Sequence, residues 1–175
     1  RWWHTLMEGQ SAEHAAVRDT ILALEAHGFD TVLLPVGPDG IVDLQVAAQA
    51  MDDQTALVAV MLVNNEIGVI QPVEALAKLA QDAGALFLCD AVQGFGRVPV
   101  PRAADMIAIS AHKVHGPKGI GALWLRDGLD LPPLIHGGGQ EGGLRSGTLS
   151  PALCAGFGGA AALVAQRRDE DAAHV

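Results

Sequence analysis

Thr55-Ala56-Leu57-Val58-Ala59-Val60-Met61-Leu62-Val63, followed at once by Asn64-Asn65-Glu66, is the stretch on which the fold turns. A strand with one wet face alternates apolar and polar residues. This run has no polar side chain after Thr55, as expected of a strand covered on both faces. Cover on both faces calls for helices on either side. Val17, Ile21 and Leu24 fall at i, i+4 and i+7, which predicts an amphipathic helix ending at Gly28. Leu44, Ala47, Ala48 and Met51 repeat that spacing, as do Val73, Leu76, Leu79 and Ala80 behind Pro72, which suits a first helical turn. Asp30 to Val36, Ala85 to Cys89, Met106 to Ile109 and Gly119 to Leu125 read as further strands. Leu153, Phe157, Ala160 and Val164 mark a last helix, expected to run out in Gln166-Arg167-Arg168-Asp169-Glu170-Asp171. Strands alternating with helices predict an α/β fold with a mainly parallel sheet and helices on both faces.

Composition narrows the function. The chain has 175 residues, is 50% hydrophobic and carries a net charge of −9, so it is neither disordered nor a general nucleic-acid or anionic-membrane binder. Its longest apolar run, Ala56 to Val63, falls far short of the ~20 residues needed to span a bilayer. Cys89 and Cys154 lie far apart and form no CxxC pair, which argues against a disulfide framework or a structural zinc and for a cytoplasmic chain. The charge is uneven. Asp90 to Ser150 holds six basic and five acidic residues, while the remainder holds five basic and fifteen acidic, so an anionic ligand is better placed in that middle stretch.

In a parallel sheet ligands bind beyond the carboxyl ends of the strands. The polar residues there are Asn64-Asn65-Glu66, Asp90, and Ser110-Ala111-His112-Lys113. Asp90 reads either as a cap for the next turn or as an acid pairing with a cationic ligand group, with Gln93 three residues on. Lys113, flanked by His112 and His115 with Lys118 nearby, is the sharpest nucleophile candidate, although most lysines are solvated surface groups. His112 and His115 have metal-ligand spacing but no third ligand close by, so no metal site is assigned. Gly116 to Gly121 lacks the order of a phosphate-binding Walker loop, and no GxGxxG follows the early strands. Gly137 to Gly143 is flexible by composition and reads as a mobile loop.

Five stretches resemble, in order and spacing, the cysteine desulfurases of the NifS/IscS type, pyridoxal-phosphate enzymes of the class V aminotransferase group. They are Ala12-Glu13-His14-Ala15-Ala16-Val17, Asn64 to Pro72, Asp90-Ala91-Val92-Gln93, Ser110 to Gly119, and Gly137 to Glu141 with Arg145-Ser146-Gly147-Thr148. The resemblance implies the large domain of a fold-type I pyridoxal-phosphate enzyme. It implies that Lys113 forms the Schiff base with pyridoxal 5'-phosphate and later moves the substrate α-proton. Asp90 would bind the pyridine nitrogen, Gln93 would hydrogen-bond the phenolic oxygen, Asn65 would sit near that oxygen and the substrate, and His14 would stack on the ring and could handle protons. Ser110 and His112 would bind the phosphate, and Thr148 would reach the partner's phosphate in a homodimer, with Arg145 near that interface. The implied reaction takes L-cysteine to L-alanine and passes sulfur as a persulfide to an acceptor or scaffold protein, supplying iron–sulfur cluster assembly.

The chain also departs from the family pattern. Nothing matches the family's first phosphate loop, and the opening Arg1-Trp2-Trp3-His4 resembles neither a signal peptide nor a natural start. The family's persulfide cysteine and carboxylate-binding arginine lie downstream of anything here, and both Cys89 and Cys154 read as core residues. Residues 1–175 are therefore expected to be the central part of a large domain, without the first phosphate loop and C-terminal small domain. Another class V activity, aminotransferase or selenocysteine lyase, is the alternative reading. A non-catalytic module that keeps the cofactor pocket is the other.

Overall fold

The computed structural model describes residues 4–8 and 13–174. Along the chain these form β1 (His4–Glu8), α1 (Ala15–Leu24), β2 (Asp30–Leu34), α2 (Leu44–Ala50) and β3 (Thr55–Met61). They continue as α3 (Val73–Ala83), β4 (Leu86–Asp90), β5 (Met106–Ser110), β6 (Gly121–Leu125) and α4 (Pro151–His174). A short 3-10 turn, Ala111–Val114, follows β5 directly. The six strands make one sheet in the order β2-β1-β3-β4-β5-β6, parallel throughout except for β6, which runs antiparallel to β5.

The apolar run is continuous because the sheet is covered twice. Val58 and Val60 of β3 pack with Ala47 of α2 and Leu76, Ala77 and Ala80 of α3. Ala59, pointing the other way, packs with Ile21 of α1. In β4 the same alternation sends Phe87 and Cys89 to the first layer and Leu88 to the second. Burying one such Leu or Phe side chain contributes about 1.5–3 kcal/mol, so this double layer supplies most of the fold's apolar stabilisation. A smaller cluster joins α4 to the turn after β5 through Phe157, Ala160, Ala111 and Val114.

Several boundaries differ from the expected ones. β3 stops at Met61 rather than Val63, because the chain folds back beyond Leu62 and Val63 bridges antiparallel to Ile70. α4 does not run out in the charged stretch but continues to His174. There Arg167 pairs with Glu170 and Asp171 at helical spacing, 3.8 and 3.4 Å away. Pro72 is the N-cap of α3 rather than part of its first turn. β1 was not expected at all, yet it lies inside the sheet between β2 and β3. Gly84 ends α3. Its φ of 80° is open to glycine, and its N–H donates to the carbonyls of Ala80 and Gln81.

Candidate functional site

Strands β3, β4 and β5 end side by side, and the residues at or just beyond their ends include those of the expected chemistry. Asp90 closes β4. Its carbonyl accepts the Leu62 N–H from the β3 side, and the Ala91 N–H donates to Ala108 of β5. The chain is thus stitched on both flanks, and Asp90 is only 7% exposed. The Val92 N–H donates to Oδ1 at 2.9 Å. Both readings of this residue therefore apply, since it closes the local turn and also presents a buried acid at the strand end. Burial pushes the Asp90 carboxyl above its ordinary 3.8; the Val92 N–H and the charges of His14 and Lys113 oppose that rise. His14, Asp90 and Lys113 are therefore within electrostatic reach although they are far apart in sequence.

Lys113 is half-buried in the 3-10 turn after β5. The turn is held from two sides. Arg97 Nη1 donates to the Lys113 carbonyl at 3.0 Å, tying it to the segment after Gln93. Behind it, Gly116 packs so closely that a Cβ would lie 2.9 Å from the Ala111 carbonyl and 3.1 Å from Ala160 of α4. Ser110 and His112 meet at the same strand end, with Oγ and Nδ1 2.8 Å apart. Gln93 is half-buried in the turn following Asp90.

His14 is more than the ordinary polar residue that its local sequence suggests. It is the N-cap of α1, its Nδ1 accepting the Ala16 N–H at 3.1 Å. In the neutral ring this acceptor role leaves Nε2 as the nitrogen that bears the proton. Asn64 and Asn65 divide their work. Asn64 is buried, and its Oδ1 accepts the N–H groups of Glu66 and Ile67 at 2.8 and 2.9 Å, which shapes the turn. Asn65 is exposed at the tip of that turn.

Thr148 stands apart, exposed on the segment before α4 and tied by no described hydrogen bond to the other site residues. Arg145 is also exposed, its Nη1 3.4 Å from the Gly147 carbonyl. The glycine-rich loop before it is cross-tied rather than merely mobile. The Gly139 N–H donates to buried Ser146 Oγ at 3.2 Å, and the Gly147 N–H to Gln140 Oε1 at 3.0 Å. The composition of the loop hides these bonds because each donor is a backbone group. Cys89 is buried in the main core and Cys154 lies half-buried on α4. Among the described residues no group of three or more His, Cys, Asp or Glu is arranged to hold a metal ion.

A buried acid at the end of β4 thus feels the charges of a half-buried lysine and a helix-capping histidine, and a hydroxyl–imidazole pair lies at the end of the neighbouring strand. Residues 9–174 match the aminotransferase class-V family. This chain belongs to the class V aminotransferase family. It is 46% identical over 169 residues to cysteine desulfurase IscS of Rickettsia rickettsii (strain Iowa), covering 94% of this chain and 41% of that protein. A solved NifS-like protein superposes with a TM-score of 0.91 at 38% identity, over 97% of this chain and 47% of the other. SspA in complex with cysteine superposes with a TM-score of 0.85 at 40% identity, over 92% and 47%. The chain thus spans less than half the length of these class V relatives.

Sequence reasoning missed Glu13, Arg97 and Asp105 as organising residues. Glu13 was visible only as the neighbour of His14, and the other two only as charges. What reveals them is a bond to a backbone group far along the chain, which no local pattern encodes.

Proposed function

We propose that the intact protein is a pyridoxal-phosphate-dependent cysteine desulfurase, of which this chain forms the cofactor-binding part of the large domain. The observation that carries the proposal is the buried Asp90 at the end of β4 with His14 and Lys113 in electrostatic reach. The donor set suits the cofactor. A carboxylate matches a protonated ring nitrogen, an amine matches an aldehyde, and Ser110 with His112 offers polar groups to a phosphate. When bound, pyridoxal phosphate supplies an electron sink that makes the α-carbon of an amino acid acidic.

The chain's own residues then have separable tasks. Lys113 holds the cofactor through its amine and afterwards carries the proton that leaves the α-carbon. Asp90 keeps the ring nitrogen protonated. Gln93 and Asn65 serve the phenolic oxygen, His14 takes the ring face with Nε2 available for a proton, and Thr148 serves the phosphate of a second protomer in a homodimer. The substrate is L-cysteine, whose sulfur would pass to a cysteine thiol of the intact protein to give L-alanine and a persulfide, which is handed to an acceptor protein with iron–sulfur cluster assembly as the destination. Two cysteines without a disulfide suit a reducing cytoplasm, and among the described residues no helix is long and apolar enough to cross a membrane.

The test is spectroscopic and then chemical. The protein mixed with pyridoxal phosphate should gain a visible absorption band that survives desalting, and Lys113→Ala should abolish it. With L-cysteine the intact protein should release alanine and reducible sulfur in equal amounts. A wild-type protein that stays colourless refutes the cofactor assignment, and a coloured one that leaves cysteine untouched refutes the substrate.

A further inference from the structure

Glu13 precedes His14 and is 6% exposed, an unusual place for a carboxylate. Its Oε1 accepts the Met61 N–H at 2.6 Å across 48 residues of sequence. Met61 is the last residue of β3 and lies opposite Asp90 in the β3–β4 register. The Leu62 N–H points to β4, where it donates to the Asp90 carbonyl, so the Met61 N–H points to the β1 side. There, among the described residues, the β1–β3 pairing extends to Met7 and Ala59. The Glu13 carboxylate therefore takes the place that a strand carbonyl would fill. It fastens the residue before His14 to the end of the strand beside Asp90.

We infer that Glu13 is a positioning residue that sets His14 against the Asp90–Lys113 site. Two bonds then fix the histidine from both directions. Glu13 anchors the chain to β3, while His14 Nδ1 holds the first turn of α1 through the Ala16 N–H. Without the first bond, α1 could carry the imidazole away from the strand ends even with its cap intact. Burying a carboxylate is costly unless it is hydrogen-bonded, so the strand-end N–H also makes this placement of Glu13 tolerable. The inference rests on the proposed role of His14 at the cofactor ring.

The experiment compares Glu13→Ala, Glu13→Gln and Asp43→Ala in the intact protein. Asp43 caps the remote helix α2 through the Gln45 and Val46 N–H groups and serves as a stability control. Without cofactor, Glu13→Ala should speed amide exchange at Met61 by about tenfold or more and move the His14 ring signals in NMR spectra. Glu13→Gln keeps an acceptor oxygen and should restore both. With pyridoxal phosphate added, Glu13→Ala should change the visible circular dichroism of the bound cofactor and speed its loss by about fivefold or more, while Asp43→Ala changes neither. Glu13→Asp, too short to reach the same N–H, replaces Glu13→Ala if that variant does not fold. Unaltered Met61 exchange or His14 signals overturn the inference. Altered exchange with unaltered dichroism reduces Glu13 to a stabilising residue and also overturns it. If the wild-type protein takes up no cofactor, the functional proposal fails while the Met61 and His14 measurements still decide the tie.

Discussion

Replacing Asp105 should separate the sheet's architecture from its chemistry. Asp105 precedes β5 and is almost fully buried. Its Oδ2 accepts the Phe87 N–H of β4 at 2.8 Å, and its Oδ1 accepts from Arg126 Nε, just past β6, at 2.7 Å. Its own N–H donates to the Phe87 carbonyl, and its carbonyl accepts the Arg126 N–H. One residue thus sets the register of three strands at the end opposite the site. Asp105→Ala strands the Phe87 N–H, a buried donor, at about 1–3 kcal/mol. The lost ion pair adds about 1 kcal/mol at most, because the Arg126 side chain is 52% exposed and water can solvate it. The sum is about 1–4 kcal/mol. Asp105→Asn, which keeps an acceptor for the Phe87 N–H but no charge, should lose only the ion-pair part, about 1 kcal/mol or less. Urea denaturation of the cofactor-free protein measures both, and amide exchange at Phe87 reports the local opening. An Asp105→Ala loss below about 1 kcal/mol, or an unchanged Phe87 amide, would falsify the claim that this carboxylate registers the strands.

Two further substitutions act at the site itself. Burial raises the folded-state pKa of Asp90, so its contribution to stability is fully present below the ordinary value of 3.8 and is lost as pH rises through the folded value. Asp90→Asn cannot ionise and can still accept the Val92 N–H. Thermal melts of cofactor-free protein should show it more stable than wild type at neutral pH, with the gain vanishing below 3.8; equal melting at neutral pH refutes this. Gly116→Ala forces a Cβ to within 2.9 Å of a backbone carbonyl and 3.1 Å of Ala160. It should cost about 1–3 kcal/mol, and because it displaces the turn bearing Lys113 it should also speed cofactor loss. A variant that melts lower yet retains cofactor normally contradicts that coupling.

The fold was legible where burial is two-sided or periodic. The run beginning at Thr55 announced a central strand because both its faces needed apolar cover, and α3 announced itself by spacing. β1 gave no such signal. His4-Thr5-Leu6-Met7-Glu8 is short, contains polar residues and becomes an interior strand only through β2 and β3, which flank it. In the site, strand ends pointed to Asp90, Lys113 and Ser110, and the family resemblance added His14. Strand ends alone did not distinguish Asn64, consumed in shaping its turn, from Asn65 at the tip; only the resemblance singled out Asn65. That distinction depends on which side chain folds inward, and two identical neighbours offer no local sequence cue to it.

The two buried aspartates of the central strands show why the site lies at one end of the sheet. Asp105 and Asp90 are almost equally shielded from water and belong to adjoining parts of the same fold. Asp105 meets a backbone N–H on one oxygen and a guanidinium on the other, within hydrogen-bond distance of both. Asp90 receives the Val92 N–H, while His14 and Lys113 act on it only through their charges, and burial still prevails. Such a carboxylate favours whatever cation arrives beside it, since a cation offsets the desolvation that the protein leaves uncompensated. Stability would be better served by giving Asp90 an arginine of its own. That arginine would stand where the proposed cofactor's cationic ring nitrogen would bind, so the incomplete pairing at the end of β4 is what the proposed site would draw on.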